Sequence, residues 1–122
     1  MATWEDIRAV ALGLPGVSEG ESLGGRDFTV GTKGFVHTWR GRVVMKLDKG
    51  HQELLFEVRP ETFSPMVAGA LRWAWVEIDH LDPAELADLV REAWACVVPK
   101  KVSRAYSGAP QSTQRTRSDP PP

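Results

Sequence analysis

Five cations, Lys33, Arg40, Arg42, Lys46 and Lys49, fall in the stretch Val30–Gly50 against one acid, Asp48. Their chemistry is that of phosphate contact. An ammonium or guanidinium carried on a short turn needs only reach and positive charge to meet a polyanion. Trp39 stands next to Arg40, with His37 close by, so a planar side chain is at hand to rest on a sugar or a base. The same residue types also have a plainer use, because Lys and Arg at hairpin turns keep a sheet in solution and discourage edge-to-edge pairing. Reading of base edges needs a side-chain constellation presented to a groove, and the spacing supplies none.

The net charge of −1 conceals an uneven distribution. Arg26–Gly50 carries +4 and the segment from Lys100 to the end another +4, so the remainder carries −9. The local field, not the total, governs attraction to a charged polymer. The terminal cations Lys100, Lys101, Arg104, Arg115 and Arg117 could add sequence-blind affinity or simply solvate the chain end.

Other chemistries have thinner support. The five tryptophans invite a stacking platform built from Trp39, Trp73 and Trp75, with His37 beside it as a ligand face. Packing explains Trp4 and Trp94, which lie on or near helical stripes. Glu77, Asp79, Asp82, Glu85, Asp88 and Glu92 gather acids, but hard cations need convergent oxygens, and helix starts favour acids in any case. No metal site is expected. His37, His51 and His80 have no neighbour that reads as a triad or a zinc motif. Cys96, the single cysteine, lies late in a helix, where the dipole raises a thiol pKa. Gly24-Gly25 and Gly31-x-x-Gly34 read as turns and not as a phosphate cradle. The chain is therefore expected to be non-enzymatic and to use no cofactor.

These residues need a scaffold, and the periodicities describe one. Thr3 caps a first helix with Ile7, Val10, Ala11 and Leu14 on one stripe, and Pro15-Gly16 ends it. Val17–Gly25 reads as a connection. Four short strands are expected over Arg26–Val30, Phe35–Trp39, Arg42–Leu47 and Gln52–Val58, with turns short enough to force antiparallel neighbours. Glu61–Ala70 reads as a short helix interrupted by Pro65, and Arg72–Ile78 as a fifth strand. Asp82, Pro83 and Glu85 start a last helix whose stripe is Leu86, Leu89, Val90, Ala93, Trp94 and Val97; Pro99 stops it. Two terminal helices on one face of an antiparallel sheet of about five strands make a two-layer α+β sandwich, with the other face open to water or a partner.

The 122 residues suit one domain, expected over 1–105. A tail over 106–122 has no apolar residue larger than Ala or Pro after its first position and is expected to be disordered. No run approaches the length of a membrane span, and no basic-then-apolar leader opens the chain. A lone cysteine forms no intrachain disulfide, so a reducing cytoplasm is the expected location.

The ordered series of short motifs resembles the MmcQ/YjbR family of small bacterial proteins. It comprises Leu14-Pro15-Gly16-Val17, the acids Glu19 and Glu21, Phe28-x-Val30-Gly31-x-Lys33-x-Phe35 and Val44-x-Lys46. It continues through Pro60 and Phe63-Ser64-Pro65, Trp75-Val76-x-Ile78, Leu86, Leu89-Val90 and Ala93-Trp94, to Pro99-Lys100-Lys101. The resemblance implies a CyaY-like (frataxin-like) fold. It also implies DNA binding, through a sheet that resembles the double-wing domain of a phage transcription factor. One departure is Ala93-Trp94, where many members have Ser-Tyr. Together these readings lead to a DNA-binding protein of low specificity, contacting phosphates through Lys33, Arg40, Arg42, Lys46 and Lys49, with Trp39 on the nucleotide. The alternative is a small-molecule or protein binding module using the aromatic face of His37, Trp73 and Trp75.

Overall fold

Arg40-Gly41 is a two-residue turn in which both residues take positive φ (53° and 78°). Such a pair matches the right-handed twist of the strands on either side. It joins β3 (Lys33–Trp39) to β4 (Arg42–Met45). β2 (Gly25–Val30) pairs with the other edge of β3, through a turn in which Gly31 has φ 62°. The computed structural model describes residues 2–22, 25–68 and 71–107.

Six strands form one sheet, in the order β1-β2-β3-β4-β6-β5, with β1 at Val17–Ser22, β5 at Phe63–Ala68 and β6 at Leu71–Val76. Every neighbouring pair is antiparallel. The register decides the faces, because partners across an antiparallel ladder point the same way. Phe28, Val36, Met45 and Ala74 form one row, and each is 0% exposed. Val43, Val76 and Phe63 extend that face. A register shift between Phe28 and Thr29 brings Phe35 into the core as well.

The helices cover this row. α1 (Trp4–Leu12) begins with a reciprocal cap between Thr3 and Asp6 and buries Ile7 and Ala11; Trp4 stacks on Phe28, with ring centroids 5.1 Å apart. α3 (Pro83–Ala95) starts at Asp82, whose carboxylate accepts the Glu85 N–H at 2.8 Å, and buries Leu86, Leu89, Val90, Ala93 and Trp94. The Trp94 indole N–H donates to the Pro15 carbonyl at 3.0 Å, which ties the end of α1 to α3. A buried donor without such a partner would cost about 1–3 kcal/mol. The Glu85 carboxylate does not fold back on its own cap; it pairs with Arg59.

Four expectations are corrected. Val17–Ser22 is a strand and not a connection; its Gly, Ser and Glu residues have little strand propensity, and six ladder partners in β2 hold it. Gln52–Val58 belongs to a helix, α2 (Lys49–Val58). A short apolar run such as Leu54-Leu55-Phe56 suits either element, and here the Asp48 side chain caps the His51 N–H while Gln52 and Leu55 turn inward. The expected helix over Glu61–Ala70 is a turn followed by β5, an edge strand, where Pro65 is tolerated because its missing N–H costs no inner ladder bond. The fifth expected strand ends at Val76, and Ile78 lies in a short 3-10 turn, Ile78–His80. A fourth helix, α4 (Lys100–Ser107), follows Pro99, and Tyr106 meets the Trp94 ring edge-on at 5.2 Å. The remainder of the expected tail, with Arg115 and Arg117, lies outside the described residues.

The architecture is thus α+β: a six-stranded antiparallel sheet and four helices. α2 is tied to α3 by His51–Glu92 at 2.7 Å and by Arg59–Glu85, so the described helices gather on the Phe28 side. Among the described residues no helix is long and apolar enough to cross a membrane.

Candidate nucleic-acid interface

The opposite face of the sheet carries the row Asp27, His37, Val44, Trp75 and Ser64. Trp39 and Arg42 pair in the next row, and Trp73 lies two positions from Trp75 on the same face. Sequence reasoning grouped Trp39, Trp73 and Trp75, with His37 beside them, and the register places all four on this face.

These side chains pack on one another. Trp39 stacks on Trp75 at 5.9 Å with planes 12° apart. The Trp73 ring reaches toward Gly34, where an added Cβ would lie 3.8 Å from its Cη2. Val44 is only 2% exposed and yet stands outside the main core cluster. With its cross-strand partner Trp75 and the stacked Trp39 it makes a small second cluster on the face that no described helix covers. The signal for it was the consecutive run Val43-Val44-Met45, since uninterrupted apolar residues in a strand mean cover on both faces. The Nε2 of His37, in the same row, is buried without a hydrogen-bond partner.

Two guanidiniums complete the cluster. Arg42 Cζ lies 4.2 Å from the Trp75 ring centroid, and Arg40 Cζ lies 5.1 Å from that of Trp39. Weakly hydrated guanidinium suits such stacking better than ammonium does. Arg42 also pairs with Glu77 at 3.0 Å, both side chains being 45% exposed; an ion pair this open is worth little and yields readily to a competing anion.

The five cations do not form one row. Arg40 and Arg42 sit at the β3–β4 turn, beside Trp39 and Trp75. Lys33 opens β3 at its other end, and Lys46 follows β4 there, its N–H donating to the Phe35 carbonyl at 3.0 Å. Arg42 and Lys46 are four residues apart, about 13 Å along extended chain. Lys46 and Lys49 line a cleft of about 660 Å³ with Leu47, Asp48, Gln52, Arg72 and Cys96. Arg72 is a cation that sequence reasoning left out of the group. Only the fold brings β6 beside β4 and adds it to this end.

The acids of the α3 region are engaged one by one. Asp82 caps α3, Glu85 holds Arg59 and raises its pKa by that hydrogen bond, and Asp88 meets Arg91 at 3.1 Å. Glu92 accepts from the Asp48 N–H at 3.1 Å and meets His51. Among the described residues no three His, Cys, Asp or Glu side chains come together as a metal set. Cys96 lies in the cleft wall, where partial burial, and then the Glu92 carboxylate, push its thiol above the ordinary range. Its thiolate is therefore scarce at neutral pH.

Comparison with known proteins agrees with this architecture. The crystal structure of Deinococcus radiodurans protein DR2400, described as a DUF419 domain, superposes with a TM-score of 0.70 at 25% identity, over 93% of this chain and 94% of that one. No curated protein matches the sequence. The family model of YjbR matches residues 12–96, from the end of α1 to the end of α3. The chain belongs to the YjbR family.

Proposed function

We propose that this protein is a non-enzymatic, cytoplasmic nucleic-acid-binding module, DNA being its first candidate partner. Binding is weak and mainly directed at phosphates. The observation that carries this reading is the placement of Arg40 on the exposed indole of Trp39 and of Arg42 on the half-buried indole of Trp75, at the rim of a sheet face that no described helix covers. The β2–β3 and β3–β4 hairpins then act as the wings. Arg40 and Arg42 make the principal contacts, and Lys33, Lys46 and Lys49 contribute from the far end by reach alone.

Non-specific affinities of such modules lie at about 10⁻⁴–10⁻⁶ M, and two phosphate contacts on a duplex give a log–log salt slope of about −2. Gel shift and fluorescence anisotropy at low salt test the proposal. Retention that disappears on raising the salt, and on Arg40→Glu with Arg42→Glu, is the expected result. No retention of single-stranded or duplex DNA at low salt would overturn it.

A second reading has its own observation. The second apolar cluster around Val44, with Trp73 laid toward Gly34, suits a small aromatic ligand or a protein partner. Quenching of indole emission by such a ligand, with no response to any polyanion, would favour it.

A further inference from the structure

Phosphate contact alone leaves the indoles without a role. A side chain that only meets phosphates needs no aromatic surface beneath it, yet both guanidiniums at the β3–β4 turn lie on tryptophan rings. Trp39 is 43% exposed, at the strand end that leads into this turn. A planar, charged guanidinium on an indole occupies the position that a nucleobase takes in a stacking complex. From there Arg40 can swing to a phosphate, which leaves the face of Trp39 for the base attached to the next sugar.

Resting on the nucleic-acid reading above, we propose that the open sheet face takes unpaired bases, so that its preferred ligand is single-stranded nucleic acid and not duplex. In a duplex both faces of every base are covered by the neighbouring pairs, and only edges and phosphates remain within reach. A splayed single strand offers its π-faces, and a flat sheet with aromatic side chains is a surface that receives them. Shape supports the choice. A major groove about 12 Å wide admits a helix or a two-stranded ribbon. Trp75 stands on β6, beyond the β3–β4 hairpin and flanked by β5. A hairpin inserted into a groove would leave Trp75 outside. A single strand laid across β3, β4 and β6, which span about 10 Å, meets Trp39, Arg42 and Trp75 together.

Charge sets the strength of binding for any polyanion and not the choice between strands. Glu77 holds Arg42 in an open ion pair, and an incoming phosphate competes with that carboxylate for the guanidinium. Removing the carboxylate strengthens binding without touching an aromatic ring.

The test uses the full chain with three probes at low salt: oligodeoxythymidylate, a duplex of equal length and inorganic polyphosphate. Anisotropy reports affinity and indole emission reports stacking. We expect the single strand to bind at least tenfold tighter than the duplex and to quench emission, while polyphosphate competes without quenching. Trp39→Ala should lower single-strand affinity roughly tenfold and duplex affinity by far less, through the lost support of Arg40 alone. Trp39→Phe, which keeps a ring, should recover most of the loss, and Glu77→Gln should raise affinity for every probe. Equal affinity for single strand and duplex, with no effect of Trp39→Ala in a protein whose unfolding transition is unchanged, would overturn this inference and leave the phosphate-directed function standing. Failure of all three polyanions to bind would overturn both.

Discussion

The indoles of Trp39 and Trp75 stack at 5.9 Å, 12° from parallel, although their strands are separated by β4. Between them β4 contributes Arg42, whose guanidinium lies 4.2 Å from the Trp75 ring centroid. The pair roofs a face that carries no described helix, and the two rings differ in what they support. Trp75 shares its row with the buried Val44. Trp39 stands at the strand end and is 43% exposed. Trp75→Ala should therefore destabilise the protein by about 2 kcal/mol, below the range for a fully buried aromatic. Trp39→Ala should cost under about 1 kcal/mol. Urea unfolding of the two variants checks the order, and equal losses would contradict it.

The division of the cations into two ends predicts unequal effects on binding. Arg40→Glu or Arg42→Glu should weaken polyanion binding roughly tenfold and reduce the salt slope by about 1 each. Lys33→Glu and Lys49→Glu should change affinity by less than half as much on a logarithmic scale. Salt titrations of the four single variants measure this directly. A uniform response would mean that the ends act as one field.

Trp94 is the side chain on which the helical layer closes. It is 1% exposed, donates to the Pro15 carbonyl and meets Tyr106 edge-on. Trp94→Ala should cost about 3–5 kcal/mol, enough to unfold a marginal domain. Trp94→Phe keeps most of the ring but leaves the Pro15 carbonyl without its donor, at a cost of about 1–2 kcal/mol. Thermal melting distinguishes the two.

The raised pKa of Cys96 has a kinetic and a thermodynamic consequence. At neutral pH its alkylation by iodoacetamide should run slower than that of a free cysteine peptide, and Glu92→Gln should speed it. Because the folded pKa lies above the unfolded one, the linked stability is fully present below the ordinary thiol range and is lost as pH rises through the folded value. Alkylation rate against pH locates the shift. A profile displaced to lower pH would contradict it.

Asp82 holds the first turn of α3 through one accepted N–H, at 2.8 Å. Asp82→Ala should cost about 1 kcal/mol, with Asp82→Asn recovering most of it, as read by chemical denaturation.

Local chemistry determined much of this protein before folding. Thr3, Asp82 and Pro83 announce helix starts because a cap satisfies N–H groups within its own first turn. Arg40-Gly41 announces a hairpin because the turn lies within a few residues. The alternation of Trp73 and Trp75 with Ala74 and Val76 assigns their faces without any knowledge of neighbours. The tertiary structure decided what depends on partners distant in sequence. Val17–Ser22 becomes a strand because β2 offers it a ladder, and Gln52–Val58 becomes a helix because α3 and the Asp48 cap receive it. The charge of Val30–Gly50 was legible as a sum, but its geometry was not. A strand carries Arg42 and Lys46 to opposite ends of a sheet, and only the insertion of β6 beside β4 sets Trp75 under one of them and Arg72 near the other.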